Sequence, residues 1–157
     1  MFKYLVLENI LTNKECQQII EIYDPLLNHI KYDCRNIKLS EILFERIKKY
    51  IPNNICEISD HWCISKCLAN YGSTVEHFDG NVLYDNKISQ YTVLIYLNDD
   101  YMGGNTIISN PYCKEKIKIK PKTGSILLLD QDIIHYSEKH HDNVKYIIKS
   151  DLMIKID

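Results

Sequence analysis

Residues 77–79 of this 157-residue chain read His77-Phe78-Asp79. In extended backbone, positions two apart face the same side, so an imidazole and a carboxylate point together. Such a pair supplies two of the three ligands of a facial set of two histidines and one carboxylate, which leaves open positions on Fe(II) for a co-substrate and oxygen. Alone the pair is a weak signal, because a surface histidine beside a turn aspartate has the same spelling. A third ligand must come from farther along, and the histidines after His77 are His135, His140 and His141. His135 closes Ile133-Ile134-His135, soon after the apolar run Ser125-Ile126-Leu127-Leu128-Leu129, and is the best placed. His140 and His141 sit in Glu138-Lys139-His140-His141-Asp142-Asn143, a polar stretch that reads as an exposed turn.

Lys145 opens a mostly apolar strand, Val144-Lys145-Tyr146-Ile147-Ile148-Lys149. A cation placed there is costly unless it meets an anion, and a dicarboxylate co-substrate is one such anion. The plain alternative is an edge-strand lysine that snorkels to water. Lys149 shares the face of Lys145 by parity and is its rival.

These residues need a scaffold, and the sequence divides near residue 60 into a helical half and a strand half. Lys3 to Leu7 reads as a first short strand. Thr12-Asn13-Lys14-Glu15 spells a capping box, followed by Cys16, Ile19, Ile20 and Tyr23 at helical spacing. A second helix is predicted from about Ser40 to Tyr50, with Ile42, Leu43, Ile47 and Ile51 on one side and Pro52 as its stop. From Trp62 onward short extended pieces are predicted at about 62–71, 74–79, 89–97, 105–109, 115–120, 124–130 and 144–156. Turn residues such as Tyr71-Gly72-Ser73, Gly103-Gly104 and Pro121-Lys122-Thr123-Gly124 separate them. About seven short strands after two helices indicate an α+β domain whose strands close into a sandwich or jelly roll.

Composition narrows the role. The length is that of one domain. A formal net charge of −2 gives no field suited to nucleic acid, and the Lys-rich stretch 114–122 reads as a solvated strand face. No apolar run approaches the roughly 20 residues of a membrane helix, and the start MFKYLVLENI lacks the pattern of a secretion signal. Six scattered cysteines, with Cys63 and Cys67 the one close pair, then read as free thiols of a reducing cytoplasm. A single alanine among many Ile, Lys, Asn and Tyr suggests an AT-rich coding genome, such as that of a large DNA virus or a parasite.

From His77 to Ile154 the chain resembles the Fe(II)/2-oxoglutarate oxygenase superfamily, in particular its prolyl 4-hydroxylase-like branch. The landmarks run in order: His77-Phe78-Asp79-Gly80, Thr92-Val93-Leu94-Ile95-Tyr96-Leu97-Asn98-Asp99, Gly103-Gly104-Asn105-Thr106, Pro121-Lys122-Thr123-Gly124, His135 and Lys145. Asn9 to Cys16 also resembles the helical lead-in of that branch. The resemblance implies a double-stranded β-helix (jelly roll) with N-terminal helices packed on one sheet, in one domain over 1–157, with a lead-in of about 1–58 and a core of about 59–157. It implies Fe(II) on His77, Asp79 and His135. The distal carboxylate of 2-oxoglutarate would meet Lys145 and the Tyr96 hydroxyl, with Tyr71 as a further donor. O2 would be consumed, ascorbate would serve as reductant, and succinate and CO2 would leave with a hydroxylated product. Prolyl hydroxylation of a protein or peptide is the first substrate guess, and another side chain or a small molecule the alternative. Loop 80–87 reads as part of a lid over the substrate. Two departures stand out: Asn105 where the branch has Glu, and a short segment between Tyr71 and His77.

Two other classes compete. A silent jelly roll used for binding needs a broken triad or a missing lysine, and the sequence shows neither. A cupin-type metal site wants two histidines and a downstream glutamate in its first motif, where this chain offers one histidine and an aspartate.

Overall fold

The computed structural model describes residues 3–26, 31–70, 73–109 and 115–156. Within them the strands are β1 Tyr4–Leu7, β2 Lys31–Arg35, β3 Ile55–Ile58, β4 His61–Cys67, β5 Leu83–Tyr84, β6 Lys87–Tyr96 and β7 Met102–Gly103. They continue with β8 Thr106–Ser109, β9 Lys116–Ile119, β10 Ile126–Asp130, β11 His135–Ser137, β12 His140–His141 and β13 Lys145–Lys155. The α-helices are α1 Asn13–Tyr23 and α2 Ile37–Ile47.

One large antiparallel sheet runs in the order β1-β10-β6-β13-β4-β2, with β3 also on β13 and β5 on β6. A three-stranded sheet, β11-β8-β9, and a ribbon, β12-β7, complete the fold. Parity along β13 assigns its two faces. Ile148 and Leu152 join the helices in the larger core, with Leu43, Ile47, Trp62, Val93 and Ile126. Ile147, one position over, packs with Tyr96, Leu127 and Leu129 against Ile108 and Ile119 of the smaller sheet. Lys145, Lys149 and Asp151 share the face of Ile147, so the inter-sheet space receives charge from the longest strand.

The helical lead-in is tied down by the predicted capping box. The Glu15 amide donates to Thr12 Oγ1 at 3.2 Å, and the Thr12 amide to Glu15 Oε2 at 2.8 Å. Arg46 of α2 donates to Glu15 Oε1 at 2.6 Å and to the Ile10 carbonyl at 2.8 Å. The Arg46 guanidinium, followed by the Thr12 amide, holds the Glu15 carboxyl down at about 2. Helix α2 starts three residues before its predicted start because Asn36 caps it, accepting from the Leu39 amide at 3.0 Å. Leu43, Ile47 and Ile51 are buried as expected, whereas Ile42 is exposed.

The half read as helical also supplies β2 and β3. Alternate residues of β2 are exposed, so it carries no apolar stripe to betray it, and β3 has only four residues. Conversely, 74–79 is not a strand: it makes a single bridge, His77 to His135. Loop 80–87 is an ordered hairpin, β5 folding onto β6 through Asp85 and Asn86, both at positive φ. The Asn81 amide secures it by donating to the Ser89 carbonyl at 2.6 Å. Strand β9 is solvated, with Lys116 on Glu76 and Lys118 on Glu138, in line with the reading of the Lys-rich stretch. No helix among the described residues is long and apolar enough to cross a membrane.

Gly124 locks the lead-in to the sheets. Its carbonyl accepts the Ile10 and Leu11 amides at 3.1 Å, and its amide donates to the Tyr96 carbonyl at 2.9 Å. Its φ is +76°, and a Cβ there would lie 2.1 Å from the Leu11 carbonyl oxygen. Gly124→Ala therefore meets both backbone strain and a backbone clash, and we expect a loss of about 2–4 kcal/mol. Urea unfolding of the two proteins measures it, and a loss below 1 kcal/mol would refute this account.

Candidate metal centre

His77 lies on the irregular segment before β5, and His135 opens β11. Their backbones pair reciprocally: the His77 amide donates to the His135 carbonyl at 3.0 Å, and the His135 amide to the His77 carbonyl at 2.8 Å. The rings consequently stand 4.5 Å apart, centroid to centroid. Each imidazole is oriented by its own chain, with His77 Nδ1 2.8 Å from the Val75 carbonyl and His135 Nδ1 3.0 Å from the Ile133 carbonyl. A carbonyl can only accept, so each Nδ1 carries a proton and each Nε2 is the nitrogen left to bind a metal. Burial, more than the opposing Ile133 carbonyl, pushes His135 toward its neutral form.

Both Nε2 atoms face Asp79: His77 at 3.8 Å from Oδ1 and His135 at 3.7 Å from Oδ2. The three ligand atoms lie within 4.8 Å of one another, and this is the one such group among the described residues. The structure thus brings together the three predicted ligands, without the strand that parity assumed for 74–79. Two imidazole nitrogens and a carboxylate on one side suit a divalent transition metal.

The Asp79 side chain is only 6% exposed and is held by two donors that the sequence did not reveal. Thr92 Oγ1 donates to Oδ2 at 2.6 Å, and the Lys149 ammonium donates to Oδ1. Burial works to raise the Asp79 pKa, but the Lys149 and Thr92 hydrogen bonds and the Lys149 charge outweigh it, and the carboxyl sits below its usual range. Thr92 shares the inward face of β6 with Tyr96, a parity visible in the sequence once the strand is known.

Lys145 lies deeper between the sheets and is 2% exposed. Its ammonium donates to the Gly104 carbonyl at 2.6 Å and to Ser137 Oγ at 2.9 Å, both neutral acceptors. No carboxylate pairs with it among the described residues. Burial pulls its pKa from 10.5 to about 8, against the weaker pull of Cys67 and Glu138. The Tyr101 ring stands near it, 6.0 Å from Nζ, and the buried Tyr101 hydroxyl has no hydrogen-bond partner among the described residues. Tyr96, fully buried, shares a 2.6 Å hydrogen bond with Thr106 Oγ1. Gly104 and Thr106 of the Gly103-Gly104-Asn105-Thr106 run thus meet Lys145 and Tyr96, and a Cβ on Gly104 would come within 2.9 Å of the Tyr101 ring. Asn105 Nδ2 donates to Glu138 Oε2 at 2.6 Å, a bond to a residue distant in sequence. A buried ammonium without a counter-ion beside an unsatisfied hydroxyl fits a carboxylate-bearing molecule. Tyr71 lies outside the described residues.

His140 corrects the reading of an exposed turn. It is 2% exposed, with Nε2 3.1 Å from the Cys67 carbonyl and its ring edge-on to Tyr101. Pairing of β12 with β7 draws it inside, which a polar local sequence could not show. It stays apart from the triad.

No family model matches the sequence, and neither does any curated protein. Solved structures do match in fold. A viral collagen prolyl hydroxylase from Paramecium Bursaria Chlorella virus-1 is 15% identical, with a TM-score of 0.74 over 99% of this chain and 91% of that one. A 2OG-Fe(II) oxygenase family oxidoreductase from Burkholderia pseudomallei is 13% identical, with a TM-score of 0.73 over 95% and 83%. A Trichoplax adhaerens prolyl hydroxylase, in complex with a hypoxia inducible factor oxygen degradation domain peptide fragment, is 18% identical, with a TM-score of 0.70 over 97% and 84%. At these identities the likeness is one of fold.

The Lys145 environment has a consequence for stability. Its folded pKa of about 8 lies below the ordinary 10.5, so between those values the unfolded chain holds a proton that the folded chain has released. Stability from this group therefore rises as pH increases from about 8 to 10.5, and at pH 7 its charged burial is a cost of the order of 3 kcal/mol. Lys145→Met should be at least as stable as the parent at pH 7 and should lose that slope. Denaturant titrations of both proteins across this range decide it, and a Met variant clearly less stable at pH 7 would contradict it.

Proposed function

We propose that this chain is an Fe(II)- and 2-oxoglutarate-dependent dioxygenase that hydroxylates a C–H bond, with prolyl hydroxylation of a protein or peptide as its first substrate assignment. The observation that carries the proposal is the pairing of a two-histidine, one-carboxylate cluster with a buried lysine that lacks a carboxylate. The resemblance of the motifs and the shared fold both support it, and in this reading the two facing sheets form a jelly roll spanning one domain.

When bound, iron and 2-oxoglutarate supply the chemistry, in which 2-oxoglutarate, O2 and R–H give succinate, CO2 and R–OH. His77, Asp79 and His135 would hold the metal from one side, their orientations fixed by the Val75 and Ile133 carbonyls and by Thr92. Lys145 would meet the distal carboxylate, with Tyr96, Tyr101 and Thr106 around it and Tyr71 as a further candidate donor. Lys149 is engaged with Asp79, which leaves Lys145 as the better partner for the co-substrate. Burial of this pocket strengthens the charge pairing and keeps out competing water. A reducing cytoplasmic setting belongs to the same reading, supported by the free thiols of Cys16, Cys34, Cys56, Cys63 and Cys67.

Two surfaces bear on the substrate. Val75, Phe78, Val82 and Leu83 are exposed apolar residues close in sequence to the ligands, and they suit contact with a polypeptide. A groove of about 450 Å³ beside Lys149 is lined by Asp33, Arg35, His61, Cys63 and Asp151 among others. The charged groups in this lining favour a second reading, in which the oxygenase acts on a polar side chain or a small molecule.

The purified protein with Fe(II) and ascorbate should convert 2-oxoglutarate to succinate without added substrate. His135→Ala should lower that rate by more than about 100-fold, since even groups that merely support metal ligands are worth 10–100-fold. Absence of turnover in the parent, or a His135→Ala variant equal to it, would sink the oxygenase and leave a binding module. Prolyl peptides that accelerate succinate formation and gain one oxygen by mass spectrometry would decide for the first substrate reading, and polar-side-chain peptides for the second.

A further inference from the structure

Lys149 stands out because it is committed to a group that the proposed metal must use. We propose that Lys149 is a counter-cation built into the metal centre, which competes with the metal for Asp79 and thereby limits how tightly the metal is held. This rests on the reading of His77, Asp79 and His135 as ligands.

A carboxylate as buried as Asp79 is costly without compensating charge. The Lys149 ammonium supplies that charge through Oδ1, while Thr92 supplies a hydrogen bond to Oδ2. Each histidine spends its Nδ1 proton on a carbonyl, so neither donates that proton to Asp79. A dication entering between the three ligands therefore meets a carboxylate already ion-paired, and meets a positive charge behind it.

Lys149 can yield, as Lys145 cannot. Its side chain is 39% exposed, and it lines the groove that opens toward Asp33, His61 and Asp151. Strand register sets these groups out on one face: Lys149 pairs with Cys63, Cys63 pairs with Asp33, and Asp151 is two residues along β13. Neither Asp33 nor Asp151 has an ion pair among the described residues, whereas Arg35 nearby is taken by Asp60 at 2.9 Å. Asp151 accepts from Gln131 Nε2 at 2.7 Å but carries no cation, so the ammonium has two carboxylates without an ion pair to turn to when metal claims Asp79. The centre exchanges one cation for another and keeps the buried carboxylate neutralised in both states.

Mn(II), a redox-stable probe, tests this by calorimetric titration of the whole chain at low ionic strength. Lys149→Met should bind Mn(II) about tenfold more tightly than the parent, the scale of one partly exposed charge pair. Its metal-free form should melt at a lower temperature. Lys149→Arg, which keeps the cation, should retain the parent's weaker affinity, a result that a purely structural role does not require. Should Lys149→Met fail to fold without metal, Lys149→Gln removes the charge while keeping a donor to Asp79 and should also bind more tightly. Affinity unchanged or weakened in the uncharged variants overturns the proposal, as does a parent and variants that all fail to bind Mn(II). Loss of the oxygenase reading is separately visible, because it appears as metal bound without succinate formed.

Discussion

An ammonium group enters a protein interior only where an anion or a full set of acceptors receives it. Strand β13 carries two, Lys145 and Lys149, on the face that otherwise packs Ile147 between the sheets. Four positions at about 3.3 Å each put the two roughly 13 Å apart along one strand face, so one strand delivers charge to both ends of the site. Lys149 finds its anion within the chain, at Asp79. Lys145 finds only the Gly104 carbonyl and the Ser137 hydroxyl, and its lowered pKa records what is missing. Much of the surrounding architecture follows from housing these two charges.

The glycines illustrate it. Gly103 and Gly104 both have positive φ, and their lack of a Cβ lets the chain pass close to His140 and Tyr101 while turning the Gly104 carbonyl toward Lys145. Gly124 joins the Tyr96 backbone to the start of the helical lead-in. The helices in turn cover the opposite face of β13, where Ile148 and Leu152 require an apolar cover. Packing on one face of the strand thus fixes the placement of charge on the other.

Much of the site was legible because its residues carry their own signals. His77, Asp79 and His135 are unusual types in an ordered series of landmarks, and parity alone paired Lys149 with Lys145. What was hidden depends on distant pairing. Thr92 and Tyr101 are ordinary residues until β6 and the glycine turn bring them to Asp79 and Lys145. His140 sits in a polar stretch, and its burial comes from pairing with β7. Strand β2 was invisible for a related reason: as an edge strand with alternate residues exposed, it has too little apolar surface to leave a pattern. The helix caps, by contrast, are local chemistry, and Thr12 with Glu15 was readable at once.

The irregular segment bearing His77 and Asp79 is laced to β11 and its approach by a handful of bonds: Thr74 to Ser137, His77 to His135 and Gly80 to Gln131. Short of a full ladder, such a seam opens locally at less cost than the rest of the sheet. A metal bridging His77, Asp79 and His135 would fasten the seam at its middle, closing a long loop of chain at one point. Protection of the His77 and His135 amides from hydrogen exchange would then follow the occupancy of the centre, while amides in the middle of β6 and β13 would be indifferent to it.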